Sequence, residues 1–203
     1  MKNILVTGGA GFIGSHTCLR LLENGFRVFV IDSYVNSKKK SLEQVLKIFT
    51  KTKSFKDDML YNFEGDIRDE ESLDKVFDFA LKINKRIDAV IHFAGLKSVK
   101  ESINKPLEYW DVNVRGTHTL LKVMNKKNCN NLVFSSSATI YANSNKNLKE
   151  DFKKESINPY GTTKIVIEQL LKDIFESNRN WRICNLRYFN PIGAHESGLI
   201  GEN

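Results

Sequence analysis

The feature that most limits how this chain can fold is a run of glycines close to its N-terminus. Gly8, Gly11 and Gly14 directly follow an apolar strand-like run, and they open a helix-like segment that is rich in apolar residues. Gly8 permits a tight turn, Gly11 lets the backbone approach a pyrophosphate, and Gly14 lets the helix lie close to the strand. This context predicts a dinucleotide phosphate site at the N-terminus of the first helix, and a glycine turn without a ligand is the alternative.

Apolar strand-like runs recur along the chain and alternate with helix-like segments. Alternation of this kind is typical of a parallel sheet, and runs that are apolar on both faces need helices on both sides. We therefore predict a doubly wound (Rossmann) α/β fold, with two of its helices near 106–127 and 160–177. The predicted strands are Ile4–Thr7, Val28–Ile31, Tyr61–Glu64, Ala89–Phe93, Leu132–Ser135 and Ile183–Arg187.

Asp32 ends the second predicted strand and follows the glycine turn at a distance typical of a ribose-binding carboxylate. A carboxylate there repels a 2′-phosphate, which favours NAD over NADP. Lys38 to Lys40 lie nearby in sequence and weaken this preference. A solvated aspartate without a ligand is the alternative.

A second motif carries reactive groups. Ser137 follows the predicted strand that ends at Ser135, and Tyr160 and Lys164 are four residues apart, on one face of a helix. A lysine beside a phenol stabilises the phenolate, and the positive nicotinamide ring of a bound dinucleotide would do so further, so Tyr160 is a candidate base. Ser137 is a candidate hydrogen-bond donor to the same reacting hydroxyl. A tyrosine and a lysine at this spacing are also common on exposed helices, so the spacing alone does not indicate catalysis. Its occurrence together with the glycine turn makes the catalytic interpretation much stronger.

Composition narrows the class of protein. The 203 residues suit one domain, and the net charge of +7 comes from scattered lysines, which favours a solvated surface over a nucleic-acid groove. No apolar run approaches the length of a membrane span, so we expect a cytoplasmic protein. The histidines fit no metal-ligand spacing, so we expect no metal. Three widely spaced cysteines are expected to be buried thiols in a reducing compartment: Cys18, Cys129 and Cys184.

Taken together, these motifs resemble the extended short-chain dehydrogenase/reductase family, that is, the NAD-dependent epimerases and dehydratases. The resemblance covers essentially the whole chain and is most specific in the runs HFAGLKSVKES, KPLEYWDVNVRGT, FSSSATIY and LRYFNPIGAH. It implies that Ser137, Tyr160 and Lys164 are catalytic and that Ser137, Tyr160 and Asn190 face the substrate. The NAD-binding residues that it implies are Gly8, Gly11, Phe12, Ile13, Gly14, Asp32, Asn36, Ser37, Asp66, Ile67, Phe93, Ala94, Gly95, Lys97, Asn113, Tyr160, Lys164 and Phe189.

More narrowly, the runs resemble the members that invert C4 of a UDP-hexose. This implies interconversion of UDP-galactose and UDP-glucose through a 4-keto intermediate, with tightly bound NAD. A 4,6-dehydratase is less favoured, because Ser136 to Thr139 contain no carboxylate. Epimerases of acetylated or carboxylated sugars stay open.

The resemblance also implies a domain organisation and a homodimer. Residues 1–190 are expected to form the NAD-binding domain, and 191–203 the start of a truncated substrate-binding region. A non-catalytic NAD-binding fragment is therefore an alternative function. The dimer is expected to form through the helices near 106–127 and 160–177. One departure from the family pattern is Ala142, which stands where glycine is usual and is expected to restrict the turn below the catalytic serine.

Overall fold

The computed structural model describes residues 1–52, 58–142 and 147–202. Its strands are β1 (Asn3–Thr7), β2 (Arg27–Asp32), β3 (Leu60–Glu64), β4 (Ala89–His92), β5 (Asn131–Ser137) and β6 (Arg182–Tyr188). Its α-helices are α1 (Phe12–Glu23), α2 (Lys40–Thr52), α3 (Glu70–Lys82), α4 (Val99–Asn104), α5 (Pro106–Tyr109), α6 (Gly116–Lys126) and α7 (Pro159–Ser177). None of the helices in the described ranges has the length and hydropathy that a bilayer crossing requires.

The six strands form one parallel sheet in the order β3-β2-β1-β4-β5-β6. All six predicted strands are confirmed, and the doubly wound fold is confirmed with them. The chain winds from β1 outward to β3, returns to the other side of β1, and then winds outward to β6. The order reverses between β1 and β4, and such a switch point leaves a crevice beyond the carboxyl ends of these two strands.

Helices cover both faces of the sheet, as the continuous apolar strands predicted. Every residue of β1 and β2 is buried. On one face, side chains of α3, α6 and α7 pack over Leu5, Phe29 and Phe134. On the other face, α1 and α2 pack over Val6 and Val30. Because both faces of these strands are buried, the ends of the strands are the part of the sheet left for a site.

The predicted helix near 106–127 contains an irregularity that the sequence did not reveal. The chain is helical without a break from Pro106 to Lys126, but Trp110–Arg115 form a π-helical segment between α5 and α6. Widened turns of this kind are rare and occur frequently at functional sites. Asn113 lies within this segment and is buried.

The cysteine prediction is correct for two positions and wrong for the third. Cys18 and Cys129 are buried, whereas Cys184 is exposed. Cys184 lies on β6, an edge strand of the sheet, where successive side chains point to opposite faces. Its neighbour Ile183 packs on the core under α7, so Cys184 points to the other face, where Leu186 is also exposed. The apolar pattern of β6 concealed this difference, because a covered and an uncovered face can carry the same residue types.

Candidate functional site

A cavity of about 750 Å³ opens at the carboxyl ends of the strands, within the usual size range of cofactor and substrate pockets. It is lined by the segments that follow β1, β2, β3, β4, β5 and β6. The candidate site residues that line it are Gly8, Gly11, Phe12, Ile13, Gly14, Asp32, Asn36, Ser37, Asp66, Ile67, Phe93, Ala94, Gly95, Lys97, Ser137, Tyr160, Lys164, Phe189 and Asn190. Asn113 does not line it.

The glycine turn has the geometry of a phosphate cradle. Gly8 has φ +68°, and a Cβ at this position would lie 2.6 Å from the backbone nitrogen of Ala94. A Cβ on Gly14 would collide with the carbonyl oxygen of Gly8. The first helix begins at Phe12, and its N-cap residue Gly11 makes no side-chain capping bond. The first N–H groups of α1 therefore point into the cavity without a side-chain cap, which suits an anionic ligand such as a pyrophosphate.

Asp32 lies at the end of β2 and is 7% exposed. Its Oδ2 accepts from the N–H of Ala10 at 2.9 Å. Its Oδ1 accepts from the N–H of Tyr34 at 3.0 Å and from the hydroxyl of Ser37 at 2.8 Å. A carboxylate has about four lone-pair positions, so roughly one remains for a ligand hydroxyl, and more become free if Ser37 rotates.

The lysines that weakened the NAD preference are not all directed at the cavity. Lys39 forms an ion pair with Glu64 at the end of β3, with an Nζ to Oε2 distance of 2.5 Å. Its Nζ also lies 5.4 Å from the centre of the Tyr34 ring. Lys39 is thus held near β3 by a carboxylate, and the residues that line the cavity do not include Lys38, Lys39 or Lys40.

Asn113 lies behind the cavity wall. Its Oδ1 accepts from the N–H of Leu96 at 2.8 Å, and its Nδ2 donates to the carbonyl of Leu96 at 3.0 Å. The same amide donates to Thr163 Oγ1 at 3.2 Å. Asn113 thereby fixes the turn after β4 and ties it to α7. The contact of Asn113 with NAD that the resemblance implied stays a prediction.

His92 belongs to the structural core, as the absence of a metal-ligand spacing suggested. It is 1% exposed, and its two ring nitrogens lie 2.6 Å from Thr7 Oγ1 and 2.9 Å from Thr117 Oγ1. Burial, with a smaller contribution from the charge of Lys164, lowers its pKa to about 3. His92 is therefore a neutral crosslink between β1, β4 and α6. The described residues contain no group of three or more His, Cys, Asp or Glu side chains that could hold a metal ion.

Ser137, Tyr160 and Lys164 come together at one wall of the cavity. Tyr160 and Lys164 lie in the first turns of α7, which Asn158 caps through a hydrogen bond from the N–H of Gly161. Lys164 Nζ donates to the carbonyl of Ser135 at 2.8 Å and lies 5.7 Å from the centre of the Tyr160 ring. β5 ends at Ser137, which places its hydroxyl beside the phenol.

Burial shifts the pKa values of Tyr160 and Lys164 in opposite directions. Burial raises the pKa of Tyr160, and the hydrogen bond with Ser137 only partly opposes this. Burial also lowers the pKa of Lys164 to about 8. The pKa of the phenol thus lies above its usual value despite the neighbouring lysine. Further stabilisation of the phenolate by a positively charged nicotinamide ring stays a prediction.

One group of residues, behind Ser137, Tyr160 and Lys164, was not predicted from the sequence. Glu168 is 3% exposed and accepts from Ser136 Oγ at 2.6 Å, from Lys154 Nζ at 2.8 Å, and from Arg187 Nε at 3.0 Å and Nη2 at 2.8 Å. Arg187 Nη1 also donates to the Tyr141 hydroxyl at 2.6 Å. The one sequence feature that could have indicated this group is the position of Glu168, which lies one helical turn after Lys164 and therefore on the same face of α7.

Ala142 fits without backbone strain. The non-glycine residues with positive φ among the described residues are Tyr34, Asn84 and Asn128, so Ala142 does not need the conformation that favours glycine. Its N–H donates to the carbonyl of Lys153 at 3.4 Å. Ala142 therefore carries no left-handed backbone strain, and the restriction of the turn by its methyl group stays a prediction.

Comparison with known proteins places this geometry in a family. The model of the family described as NAD dependent epimerase/dehydratase matches residues 4–201. A relative from Pisum sativum, a bifunctional UDP-glucose 4-epimerase and UDP-xylose 4-epimerase, is 48% identical over 100% of this chain and 56% of its own length. The UDP-glucose 4-epimerase of Bacillus subtilis is 45% identical over 98% of this chain and 56% of its own length. The chain thus spans just over half the length of these curated relatives.

The solved structures agree. A crystal structure of UDP-glucose 4-epimerase from Bifidobacterium longum in complex with NAD+ and UDP superposes with a TM-score of 0.89 and 45% identity, over 100% of this chain and 57% of that one. A second, from Stenotrophomonas maltophila with NAD and formylated UDP-arabinopyranose, gives a TM-score of 0.90 and 43% identity over 100% and 57%. The candidate site residues described above therefore lie on a backbone shared with these proteins.

Proposed function

Because the chain belongs to the NAD dependent epimerase/dehydratase family, we propose that it binds NAD and interconverts UDP-galactose and UDP-glucose by inversion at C4. The observation that carries this proposal is that the glycine turn and the set of Ser137, Tyr160 and Lys164 face one cavity. The likeness to UDP-glucose 4-epimerases of known structure supports it. The protein then belongs to galactose metabolism.

The residues present fit NAD. The uncapped N-terminus of α1 would bind the pyrophosphate, and Asp32 would accept a hydrogen bond from the adenosine ribose. The Gly8 and Gly14 positions leave no room for side chains, which keeps the backbone close to the phosphates. Tyr160 and Phe189, which also line the cavity, would hold the nicotinamide half.

The chain's own groups handle the proton. Bound NAD supplies a reversible hydride acceptor for C4 of the sugar. Tyr160 takes the proton of the C4 hydroxyl, and Ser137 holds that oxygen in place by a hydrogen bond. Lys164 contributes positive charge beside the phenol and is anchored by the carbonyl of Ser135. After the 4-keto sugar turns in the site, Tyr160 returns the proton. We expect Asn190, which lines the cavity and is exposed, to contact the nucleotide sugar.

The proposed organisation assigns residues 1–190 to NAD binding and 191–203 to the start of the substrate-binding region. We propose that each subunit of the homodimer contributes two helical stretches to the interface. One is formed by α5, the π-helical segment and α6, and the other is α7. Exposed apolar side chains on these helices support it: Leu107 is 84%, Trp110 39% and Phe175 38% exposed. Sedimentation of the purified chain as a monomer at micromolar concentration contradicts the dimer.

A cytoplasmic location is proposed as well. The three cysteines are free thiols, two of them buried, which suits a reducing compartment. Fractionation of cells that express the protein from its native gene tests this location.

The decisive experiment for the activity is an assay of the purified 203-residue chain. Bound nucleotide is released and identified, and conversion of UDP-galactose to UDP-glucose is measured without added NAD. Conversion with bound NAD is the expected result. Bound NAD without conversion favours the alternative, a non-catalytic NAD-binding fragment, and the absence of both contradicts the proposal.

A matched pair of variants then tests the role of Tyr160. Tyr160→Phe removes only the hydroxyl and is expected to keep bound NAD while turnover falls by about a hundredfold or more. Tyr61→Phe is the control, since Tyr61 stacks on Phe29 in the core at 5.0 Å, away from the cavity lining. Turnover that survives in Tyr160→Phe removes Tyr160 from the mechanism.

A further inference from the structure

Arg68 lines the cavity beside Asp66 and Ile67, and the proposed function gives it no role. Its guanidinium connects two carboxylates. Nη2 donates to Asp66 Oδ2 at 2.6 Å and Nε to Asp66 Oδ1 at 3.0 Å, while Nη1 donates to Asp111 Oδ2 at 2.7 Å. Asp111 is fixed in turn by Arg115 at 2.7 Å. Arg68 thus joins the loop after β3 to the π-helical segment.

This arrangement determines what Asp66 can bind. Its carboxylate accepts from the guanidinium and from the N–H of Arg68, at 2.8 Å, so about one of its lone-pair positions remains open. The hydrogen bond from Arg68 is the main cause of a lowered pKa for Asp66, although partial burial opposes it. Asp66 is therefore ionised at neutral pH and can only accept hydrogen bonds. The bidentate fork also fixes the plane of the carboxylate.

The order of the strands shows which part of a dinucleotide meets Asp66. The glycine turn follows β1, Asp32 ends β2, and Asp66 follows β3 by two residues, and these strands are neighbours in the order β1, β2, β3. A ligand with its pyrophosphate at the first strand and its ribose at the second carries its base to the third. The base that reaches Asp66 must present a donor to it.

We propose that Arg68 is a positioning residue that sets the base selectivity of the cofactor site. By holding Asp66 as a fixed acceptor, it favours a purine with a 6-amino donor over one with a 6-oxo acceptor. This inference rests on the proposed binding of NAD and extends it to a residue that acts through Asp66. This role requires the paired hydrogen bonds from Nε and Nη2 of the guanidinium. A lysine ammonium at this position would neutralise Asp66 without fixing the plane of its carboxylate.

The test is equilibrium binding of NAD and of its hypoxanthine analogue to the nucleotide-free 203-residue chain. Hypoxanthine carries an oxygen where adenine carries the amino group, so the two ligands differ at the atom that faces Asp66. The unaltered chain is expected to bind NAD about tenfold or more tightly than the analogue, since a hydrogen bond to a charged group is lost. In Arg68→Met the ratio is expected to fall to within about threefold of unity. Arg115→Met is the control: it leaves the contacts of Arg68 with Asp66 in place, and its ratio is expected to match the unaltered chain.

The possible outcomes separate this inference from the proposed function. An unaltered chain that binds neither ligand contradicts the proposed NAD site itself. A chain that binds both equally keeps the NAD site and overturns the inference, as does an unchanged ratio in Arg68→Met. If Arg68→Met does not fold, as judged by circular dichroism, Arg68→Lys takes its place, because lysine keeps the charge and lacks the fork. A reduced ratio in Arg68→Lys supports the inference, and an unchanged ratio refutes it.

Discussion

Replacement of Glu168 by Gln tests how much the buried ion cluster behind the cavity contributes to stability. Burial alone would raise the pKa of Glu168, but hydrogen bonds from Arg187, Lys154 and Ser136 outweigh it and lower the pKa from 4.5 to about 2. At about 1.36 kcal/mol per pH unit, this shift corresponds to about 3 kcal/mol of stability at pH 7. Removal of one partner of a buried pair typically costs a similar amount, about 3–5 kcal/mol, because the remaining charges stay buried.

The pH dependence gives the prediction its sign. A carboxyl with a lowered folded-state pKa stabilises the protein fully above the unfolded value of 4.5, and this contribution is lost as the pH falls towards about 2. Urea unfolding at pH 7 should therefore show Glu168→Gln about 3 kcal/mol less stable than the unaltered chain. At pH 3 the difference should shrink by roughly half, because the unfolded carboxyl is then already protonated.

Glu176→Gln on the same helix is the matched control. Glu176 pairs with Lys172 at 3.8 Å, with both side chains more than half exposed, so its loss should change stability by less than about 0.5 kcal/mol. A cost for Glu168→Gln below about 1 kcal/mol at pH 7, or a cost that is the same at pH 3, refutes the reasoning.

Three further predictions follow from the cavity and the core. Gly14→Ala should destabilise the chain by about 1–3 kcal/mol in urea, because its Cβ meets the Gly8 carbonyl oxygen. Gly11→Ala, whose Cβ would lie 3.4 Å from the same oxygen, should lower the free energy of unfolding by less than about 1 kcal/mol and yet weaken NAD binding about tenfold. Equal stabilities of the Gly14→Ala and Gly11→Ala variants would contradict this distinction. Because burial lowers the pKa of Lys164 to about 8 from 10.5, the stability of the unaltered chain relative to Lys164→Met should rise by up to about 3 kcal/mol between these pH values, and a flat difference speaks against it. With a pKa of about 3, the ring of His92 should show no titration between pH 5 and 8 by NMR.

Local patterns carried much of the prediction. Each strand was readable because a run of apolar residues stands between turn signals, and the glycine turn was readable because its three glycines fall between a strand and a helix. The pair of Tyr160 and Lys164 was readable from a spacing of four along one helix. The cavity brings these motifs together, although the roles of the residues in it stay predictions.

Contacts between distant segments could not be predicted in the same way. Asn113 matches a family motif, but only its place in the π-helical segment directs its amide to Leu96 rather than to the cavity. The exposure of Cys184 likewise depends on which face of β6 is covered. Neither property has a local signature.

The sequence by itself determined the class of fold and the place of the glycine turn, because both depend on periodicity and on backbone freedom within a few residues. The tertiary structure decided which polar side chains meet. The register of β5 and β6 sets Ser136 opposite Arg187, and both reach Glu168 of α7. The return of the chain after β3 likewise brings Asp111 to Arg68. Such pairs depend on strand order and register, which are fixed by packing of the whole core rather than by any one segment.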